Sequence, residues 1–429
     1  MKVYCLCFIL VFAGVAYSQT GPQFGPPSAA GRVIADPPTG GVVSPTFSED
    51  ELEIIFESLG TIWRAQREST SVPFENPAPI PELNAADFSE ERPFLTPDGL
   101  GLYFMRSKGG FFASRKLYYA HRWSPSLSFL TPKEVGIEGV ERFNGALGSV
   151  SADELTAFLE IVQPDSSSTL PNQTDIALAT RSDVSEKFGM WKFLPEISTD
   201  NYERGPSIYR DDRNLYFSAV GVGVPGFIYW SVREDKHSPF SPPALVQGIN
   251  SGGVVNRDPF IAFPGSRLYY VRNNELVFSN RILTATYKIG EGQGLSGRRV
   301  RVPIIMNTPE PDAILFDVPV FFNPNLLTLE RVIPAPSLGE ESVEITLLSQ
   351  GRYRILYQSQ NPLLGDGSDE EVFDLEFLIN SGTPPSQIAI ASGGTFRLNR
   401  ITVSPPAESG RVVVEQGPNY PPASIIKIR

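Results

Sequence analysis

Pro93 to Phe104 reads PFLTPDGLGLYF, and four other stretches of the chain follow the same twelve-residue pattern. They are Pro45 to Phe56 (PTFSEDELEIIF), Gly148 to Leu159 (GSVSADELTAFL), Pro206 to Phe217 (PSIYRDDRNLYF) and Pro259 to Tyr270 (PFIAFPGSRLYY). Successive copies begin about 50 to 60 residues apart, a spacing typical of propellers and other arrays of supersecondary units. The pattern therefore predicts a repeat over the first two-thirds of the chain.

A second element follows each copy, a short strand with the pattern Ile/Leu-x-x-Ala/Ser-x-Arg. It ends at Arg67, Arg122, Arg181, Arg233 and Arg281. A guanidinium is a planar fork that can hold a carboxylate. Because the arginine recurs in every repeat, we expect it to fasten the strand to a turn carboxylate such as Asp50 or Asp98, although anion binding is an alternative.

The repeats are predicted to be blades of a closed ring. Their apolar runs, such as Leu102 to Phe104, do not alternate with polar residues, which is typical of strands that are buried on both faces. A fourth, outer strand is predicted around Leu83, Ile137, Ile197 and Ile249, and another around Ile34, before the first copy. The chain supplies none after Arg281. We therefore expect the segment near Ile34 to complete the fifth sheet, giving five four-stranded blades.

These copies resemble the WD-like, TolB-type propeller repeat, and Pro93 to Phe104 is the closest match. The turn aspartate of that repeat stands at Asp50, Asp98, Asp153 and Asp211, whereas the fifth copy has Pro264 there. The resemblance spans about residues 30–282. It implies a β-propeller, and because the family is often six-bladed, a degenerate sixth blade remains an alternative.

The pattern changes after about Leu283. Val300, Val302 and Ile304 alternate with polar residues or proline, as in a half-buried strand. Further strand-like runs follow at Ile314 to Phe322, Leu326 to Val332, Val343 to Leu348, Tyr353 to Tyr357, Val372 to Ile379, Gln387 to Ile390 and Arg411 to Glu415. This succession predicts an antiparallel β-sandwich.

Four motifs in this part occur in the order of a cohesin domain. They are GRRVRVP at Gly297 to Pro303, FNPNLL at Phe322 to Leu327, PLLGDG at Pro362 to Gly367 and LEF at Leu375 to Phe377. The region from about 285 to 417 thus resembles a cohesin, although Asn323 stands where that family usually has aspartate. The resemblance implies a non-catalytic jelly-roll module that binds a dockerin in polysaccharide-degrading assemblies. Asp366 to Glu371 lacks the ligand spacing of a dockerin calcium loop and is predicted to be a turn.

The N-terminus predicts export. Residues 1–18 have one early positive charge, Lys2, and then an apolar run that ends in small residues, as a signal peptide does. The predicted parts are a signal peptide at 1–18, a linker at 19–29, a propeller at 30–282, a cohesin-like sandwich at 283–417 and a tail at 418–429. The mature protein would be secreted, at the cell surface or in the periplasm, without a transmembrane anchor.

Composition excludes several functions. The formal net charge of −12 becomes −13 when Lys2 is removed with the leader, and such a surface repels nucleic acid. Both cysteines, Cys5 and Cys7, lie in the leader, and His121 and His237 are too few for a histidine metal site. We therefore expect no cofactor, no metal site and no Ser-His-Asp triad.

The candidate site consists of polar residues just before the innermost strands of three repeats: Glu91, Arg92, Glu203, Arg204, Arg257 and Asp258. In a propeller they would lie near the mouth of the central channel and could contact a sugar or a peptide. The alternative is that they form ion pairs between neighbouring blades. Asp258 could also be a carboxylate of a five-bladed glycosidase, although Glu91 and Arg92 occupy the same place in another repeat.

The sequence thus favours an exported, non-catalytic binding or assembly protein with a carbohydrate or protein ligand and a dockerin-like partner at the sandwich. One alternative is a secreted propeller glycoside hydrolase acting on polysaccharide. Another is a cell-surface scaffold without a small ligand.

Overall fold

The structure is a computed structural model that describes residues 21–29, 33–108, 115–138, 144–163, 173–210, 212–221, 224–251, 253–262, 265–282, 285–308, 315–339, 342–359, 369–392, 396–398, 401–403 and 409–416. Every regular element in these ranges is a β-strand, as the sequence predicts. The proposed signal peptide, Asp211, Pro264 and the PLLGDG turn lie outside them. In the described part of the chain, no helix has the length and hydropathy needed to span a membrane.

Residues 43–280 form five separate antiparallel sheets, one for each repeat, and each follows chain order from its innermost strand outward. The first contains β1 (Val43–Phe47), β2 (Glu53–Ser58), β3 (Thr61–Gln66) and β4 (Glu75–Pro79). The second contains β5 (Phe88–Leu95), β6 (Gly101–Lys108), β7 (Arg115–His121) and β8 (Lys133–Glu134). The third contains β9 (Gly145–Val150), β10 (Thr156–Val162), β11 (Thr174–Thr180) and β12 (Lys192–Phe193). The fourth contains β13 (Tyr202–Ile208), β14 (Asn214–Gly221), β15 (Val224–Val232) and β16 (Ala244–Leu245), and the fifth contains β17 (Asn256–Ala262), β18 (Arg267–Arg272) and β19 (Glu275–Asn280).

The turn between the first two strands of a sheet is built by the repeated aspartate. Asp98 Oδ1 accepts hydrogen bonds from Thr96 Oγ1 at 2.6 Å and from Leu100 N at 3.0 Å, and Asp50 and Asp153 are bonded in the same way. Gly99, which follows, has φ of 72°, a conformation that glycine adopts without strain. The aspartate therefore recurs in the first three repeats because their sheets share the same turn.

The arginine contact predicted from the repeat is partly wrong. In four repeats the arginine Nε donates to a backbone carbonyl one residue past the turn aspartate position, at 2.6 to 2.9 Å. The pairs are Arg67 with Glu51, Arg122 with Gly99, Arg181 with Glu154 and Arg233 with Asp212. The side chains of Asp50 and Asp98 are already occupied within their own turns. The arginine therefore fastens the third strand to the turn, as expected, but its Nε does so through the turn backbone. The other guanidinium nitrogens of Arg67 and Arg122 contact carboxylates that are not the turn aspartates, those of Glu51 and Glu53.

The apolar runs are buried on both faces, as their lack of alternation predicts. Five buried clusters lie between sheets one and two, two and three, three and four, four and five, and five and one. The last of these packs Phe47 and Ile54 of the first sheet against Ala262 and Tyr269 of the fifth. The innermost strands contact one another in the order β1, β5, β9, β13, β17 and back to β1.

The chain start contacts the fifth sheet, but at a different place from the one predicted. Gly25 N donates to Asn280 O and Ser28 N to Phe278 O of β19, both at 2.8 Å. Ile34 instead forms a parallel bridge with Phe74, just before β4 of the first sheet. Residues 24–28, taken from the sequence as a linker, therefore line the open edge of β19.

The outer strands also lie earlier than predicted. β4 ends at Pro79, and β8, β12 and β16 are only two residues long and precede Ile137, Ile197 and Ile249. Leu83 and these isoleucines lie beyond the strands, buried against the sheets. Their burial explains why an apolar pattern pointed to them, because periodicity cannot distinguish a short strand from a buried turn.

The last part of the chain forms two further sheets. One contains β20 (Thr286–Ile289), β22 (Arg299–Asn307), β27 (Asp369–Ile379) and β24 (Leu327–Pro334), in that order. The other has the order β21 (Glu291–Gly294), β31 (Gly410–Val414), β28 (Ser386–Ser392), β23 (Leu315–Phe322), β26 (Arg352–Gln358) and β25 (Ser342–Ser349), with β29 (Phe396–Leu398) and β30 (Ile401–Val403) off this path. All pairs are antiparallel except β21 with β31.

These two sheets share one buried apolar cluster. The alternation predicted in β22 is confirmed, since Val300, Val302 and Ile304 are buried while Arg299 and Arg301 are exposed. Leu375 and Phe377 on β27 enter the same cluster, together with Val318 and Val320 of the second sheet.

Candidate functional site

The predicted site residues lie at a bulge in the innermost strands. The pairing register shifts between Glu91 and Phe94 in β5, and at the corresponding places in β1, β13 and β17. The bulge residues are Ser44, Arg92, Gly205 and Asp258, all with φ between 46° and 57° and all followed by proline. A left-handed residue is the usual way to insert an extra residue into a strand, and it re-aims the neighbouring side chains.

The pairing of β9 with β10 also shifts, at Gly148, and the five innermost strands meet at this level around one small cavity. Its volume is about 20 Å³, and its lining includes Ser44, Arg92, Gly148, Gly205 and Asp258, one from each strand. That volume is close to what one water molecule needs. A ligand pocket is usually an order of magnitude larger, so this cavity has no room for a sugar ring.

Arg92 is the centre of the charged groups at this level. Its guanidinium lies 3.1 Å from Asp258 Oδ1 and 3.4 Å from Glu160 Oε2, and its backbone N donates to Glu57 Oε2 at 3.3 Å. These partners belong to the fifth, third and first sheets. Although burial opposes its charge, the carboxylates of Glu160 and Asp258 raise the pKa of Arg92. Arg92, on the second sheet, is therefore joined to the third and fifth sheets by ion pairs and to the first sheet by a hydrogen bond of its backbone.

Arg204 and Arg257 add to this group from the fourth and fifth sheets. Arg204 Nε is 3.8 Å from Glu160 Oε1, with nearly half of its side chain exposed. Arg257 lies 2.7 Å from Asp258 Oδ2 and also donates to Asn274. Both oxygens of Asp258 are thus held by guanidinium groups. The sequence offered two interpretations of these residues, ligand contacts or ion pairs between blades. Arg92, Arg204 and Asp258 make ion pairs between sheets, as the second interpretation predicted.

Glu91 and Glu203 lie apart from this network. Glu91 is buried and pairs with Arg115 of the same sheet at 2.9 Å. Glu203 is completely buried and accepts a hydrogen bond from Thr199 N at 3.2 Å and another from Thr199 Oγ1. The structure therefore divides the six predicted residues into one connected group of four and two separate glutamates.

The sequence analysis missed Glu57 and Glu160. Each follows directly after the last residue of its repeat copy, Phe56 or Leu159, where the other repeats have Met105, Ser218 and Val271. A charged residue at the end of an apolar run was the signal available. Burial, the largest effect, raises the pKa of Glu57 to about 7 in spite of Arg92.

A much larger cleft lies elsewhere. Its volume is about 1420 Å³, and its lining joins turns and outer strands of the first two sheets, including Glu53, Arg64, Pro79 and Asp98. None of the six predicted residues lines it. A ligand of the five-sheet region would find more space here than at the bulges.

Comparison with known proteins gives no family for the chain. No family model matches it, and no curated protein does. Among solved structures, the sixth cohesin of scaffoldin B from Acetivibrio cellulolyticus, in complex with a dockerin, is 20% identical over 30% of this chain and 99% of that one, with a TM-score of 0.27. A non-cellulosomal cohesin from Archaeoglobus fulgidus is 14% identical over 31% of this chain and 92% of that one, with a TM-score of 0.26. Scores of this size assign neither a family nor a partner.

Proposed function

We propose that this is an exported, non-catalytic binding and assembly protein, in which a five-bladed propeller precedes a cohesin-like sandwich that binds a protein partner. Two observations support the propeller. The innermost strands contact one another in a closed order, and a buried cluster lies between the fifth and first sheets. The hydrogen bonds of Gly25 and Ser28 to β19 support closure of the fifth blade by the chain start. The order of cohesin-like motifs supports the sandwich.

The observation that carries the binding proposal is the edge strand β25. It is the last strand in the order of its sheet. Its side chains Ile345, Leu347 and Leu348 are 40%, 60% and 56% exposed. Apolar side chains on an unpaired edge favour association with another chain, and proteins normally protect such edges with charges, proline or a cover. We propose that a dockerin-like protein covers this strand.

Catalysis at Asp258 has less support. Arg92 and Arg257 hold both of its oxygens, and the cavity beside it has about 20 Å³. A glycosidase needs space for a sugar ring between two carboxyl groups. A search for reducing sugar released from plant polysaccharides, with Asp258→Asn as the control, tests this alternative. Activity that disappears in the variant would favour hydrolysis over binding.

The binding proposal is tested by comparing variants of two exposed leucines in the full-length protein. Leu347→Lys places a charge on β25, whereas Leu59→Lys places one on the first sheet, where Leu59 is 79% exposed. We expect a secreted protein captured by the unmodified chain to be lost with Leu347→Lys and retained with Leu59→Lys. Equal capture by both variants would contradict a partner site at β25.

A further inference from the structure

Two ion pairs in the five-sheet region join sheets that are not neighbours. The innermost strands contact one another in a closed order, so each sheet has two neighbours. At the bulges, Arg92 of the second sheet pairs with Asp258 of the fifth. In the turns that follow the innermost strands, Arg210 of the fourth sheet lies 2.6 Å from Glu49 of the first. Each pair therefore crosses the space that the innermost strands surround.

An apolar cavity of about 50 Å³ lies between these two ion pairs. All five innermost strands contribute to its lining, through Phe47, Phe94, Val150, Ile208 and Phe260. Phe94 and Phe260 also line the small cavity at the bulges, so the two cavities are adjacent. Glu49 and Arg210 line the apolar cavity as well, from the turns. The Glu49–Arg210 pair therefore lies at the end of the cavity that faces away from the bulges.

The size and lining of this cavity determine which group fits it. A water-sized sphere takes up about 10 to 15 Å³, so the cavity has space for roughly three to five non-hydrogen atoms. Apolar cavities stay dry, and one of about 150 Å³ binds benzene. The present cavity is too small for a benzene ring and has about the size of an isobutyl group. Its lining and volume therefore suit a compact, branched aliphatic group.

The two ion pairs differ in their exposure to water. Asp258 is buried, and Arg92 contacts Glu160 of a third sheet in addition. The side chains of Arg210 and Glu49, by contrast, are 41% and 39% exposed. Water screens an exposed pair, so its charges favour the paired arrangement by no more than about fivefold, and salt reduces this preference. The cavity therefore opens more readily at the turns than at the bulges.

We propose that Glu49 and Arg210 form a strap over an apolar binding cavity, which takes a compact aliphatic group when the strap opens. The group belongs to a free solute or to the side chain of a peptide, since both present the same hydrocarbon. This site is separate from the partner strand proposed at β25. The sequence analysis missed it because Glu49 and Arg210 are 161 residues apart, and no local pattern connects them.

The cavity is tested with xenon, a compact apolar probe, and NMR spectroscopy of xenon bound to the full-length protein. We expect the unmodified protein to bind xenon, and isobutanol to displace it. Benzyl alcohol at the same concentration should not, because its ring exceeds the cavity. Ala152→Leu should abolish this binding, since Ala152 lines the cavity and the new side chain supplies the isobutyl group itself. Ala152 is exposed, so the substitution leaves the apolar core unchanged.

The strap is tested with Glu49→Gln, which removes the charge and keeps the size of the side chain. Xenon should exchange about two- to fivefold faster in this variant at low salt, and high salt should bring the unmodified protein close to the same rate. Lys236→Gln is the matched control, because it breaks another exposed pair, with Asp153, between the neighbouring third and fourth sheets. It should keep the exchange rate of the unmodified protein.

Three results would overturn the proposal: no xenon binding by the unmodified protein, full binding in Ala152→Leu, or equal exchange in Glu49→Gln and Lys236→Gln. If Ala152→Leu does not fold, the comparison of isobutanol with benzyl alcohol takes its place, and equal displacement by both counts against the cavity. N-Acetyl-leucinamide distinguishes the two sources of the aliphatic group. Displacement of xenon by this compound identifies a peptide side chain as an occupant, whereas displacement by isobutanol alone restricts the cavity to free solutes.

Discussion

The five-sheet region and the two-sheet region keep their charges in different places. In the first, Arg122 is completely buried and its guanidinium binds both oxygens of Glu53 in the neighbouring sheet. In the second, Glu376 is surrounded by Arg299, Arg301 and Arg331, each more than half exposed, and the interior is one apolar cluster. Among the described residues, the repeats thus combine apolar clusters with buried ion pairs between neighbouring sheets, whereas the last two sheets are joined mainly by their shared apolar cluster, with Tyr287 OH donating to Pro319 O between them.

The largest effect is expected from Arg122→Ala. It leaves Glu53 buried with Arg64 as its one remaining ionic partner among the described residues, and removing one partner of a buried pair usually costs about 3 to 5 kcal/mol. All four tryptophans, Trp63, Trp123, Trp191 and Trp230, lie in the five-sheet region. Denaturation followed by tryptophan fluorescence should therefore show the loss. If Arg122→Ala lowers the stability no more than Lys116→Ala does, which breaks an exposed pair of the second sheet, the buried ion pair does not distinguish the five-sheet region.

Leu375→Ala tests the other region. Leu375 is fully buried between the last two sheets, and such a truncation usually costs about 2 to 5 kcal/mol because it leaves a cavity. Circular dichroism should report the destabilisation, while the fluorescence transition should keep its midpoint. A shift of both signals together would mean that the two regions unfold as one unit.

The buried glutamates predict that the stability of the five-sheet region depends on pH. Burial raises the folded-state pKa of Glu203 to about 9 and that of Glu57 to about 7, both above the usual glutamate value of about 4.5. The folded state therefore binds more protons than the unfolded state above pH 4.5, so stability falls as the pH rises, up to about 7 for Glu57 and about 9 for Glu203. The fluorescence midpoint should decrease between pH 5 and 9, and less so in Glu203→Gln. An unchanged slope in that variant would assign the dependence to other groups.

The smallest effect is expected from Arg331→Ala. Arg299 and Arg301 remain near Glu376, and exposed pairs contribute little because water and salt screen them. The circular dichroism transition should move less than in Leu375→Ala, and added salt should reduce the difference further. A loss as large as that of Leu375→Ala would show that charge holds the two-sheet region as well.

The sequence predicted the features that depend on a repeated local pattern. The turn at Asp98, the buried run from Leu102 to Phe104 and the alternation from Val300 to Ile304 follow from turn chemistry and periodicity, and the structure confirms them. The bounds of β23 to β28 were also close. These features are set by residues near one another in the chain.

What the sequence did not predict depends on residues far apart. The contact of Arg92 with Glu160 and Asp258 requires knowing how three sheets are placed, and no local pattern encodes it. That Glu203 has an alanine and not an arginine opposite it became visible only when the register placed Ala219 there. Likewise, residues 24–28 carry too little apolar periodicity to indicate that they, and not Ile34, bind β19.

The bond from Phe278 N to Ser28 Oγ spans 250 residues of sequence. The chain start can bind the fifth sheet only after the chain has been made, and in our proposal exported, as far as β19. The outer edge of that sheet therefore stays unpaired until the chain start binds there. Until then its strands expose an unpaired edge to any other strand nearby, a hazard during folding. Contacts of such long range also slow folding, so the rate of maturation should depend on how soon the chain start finds its place.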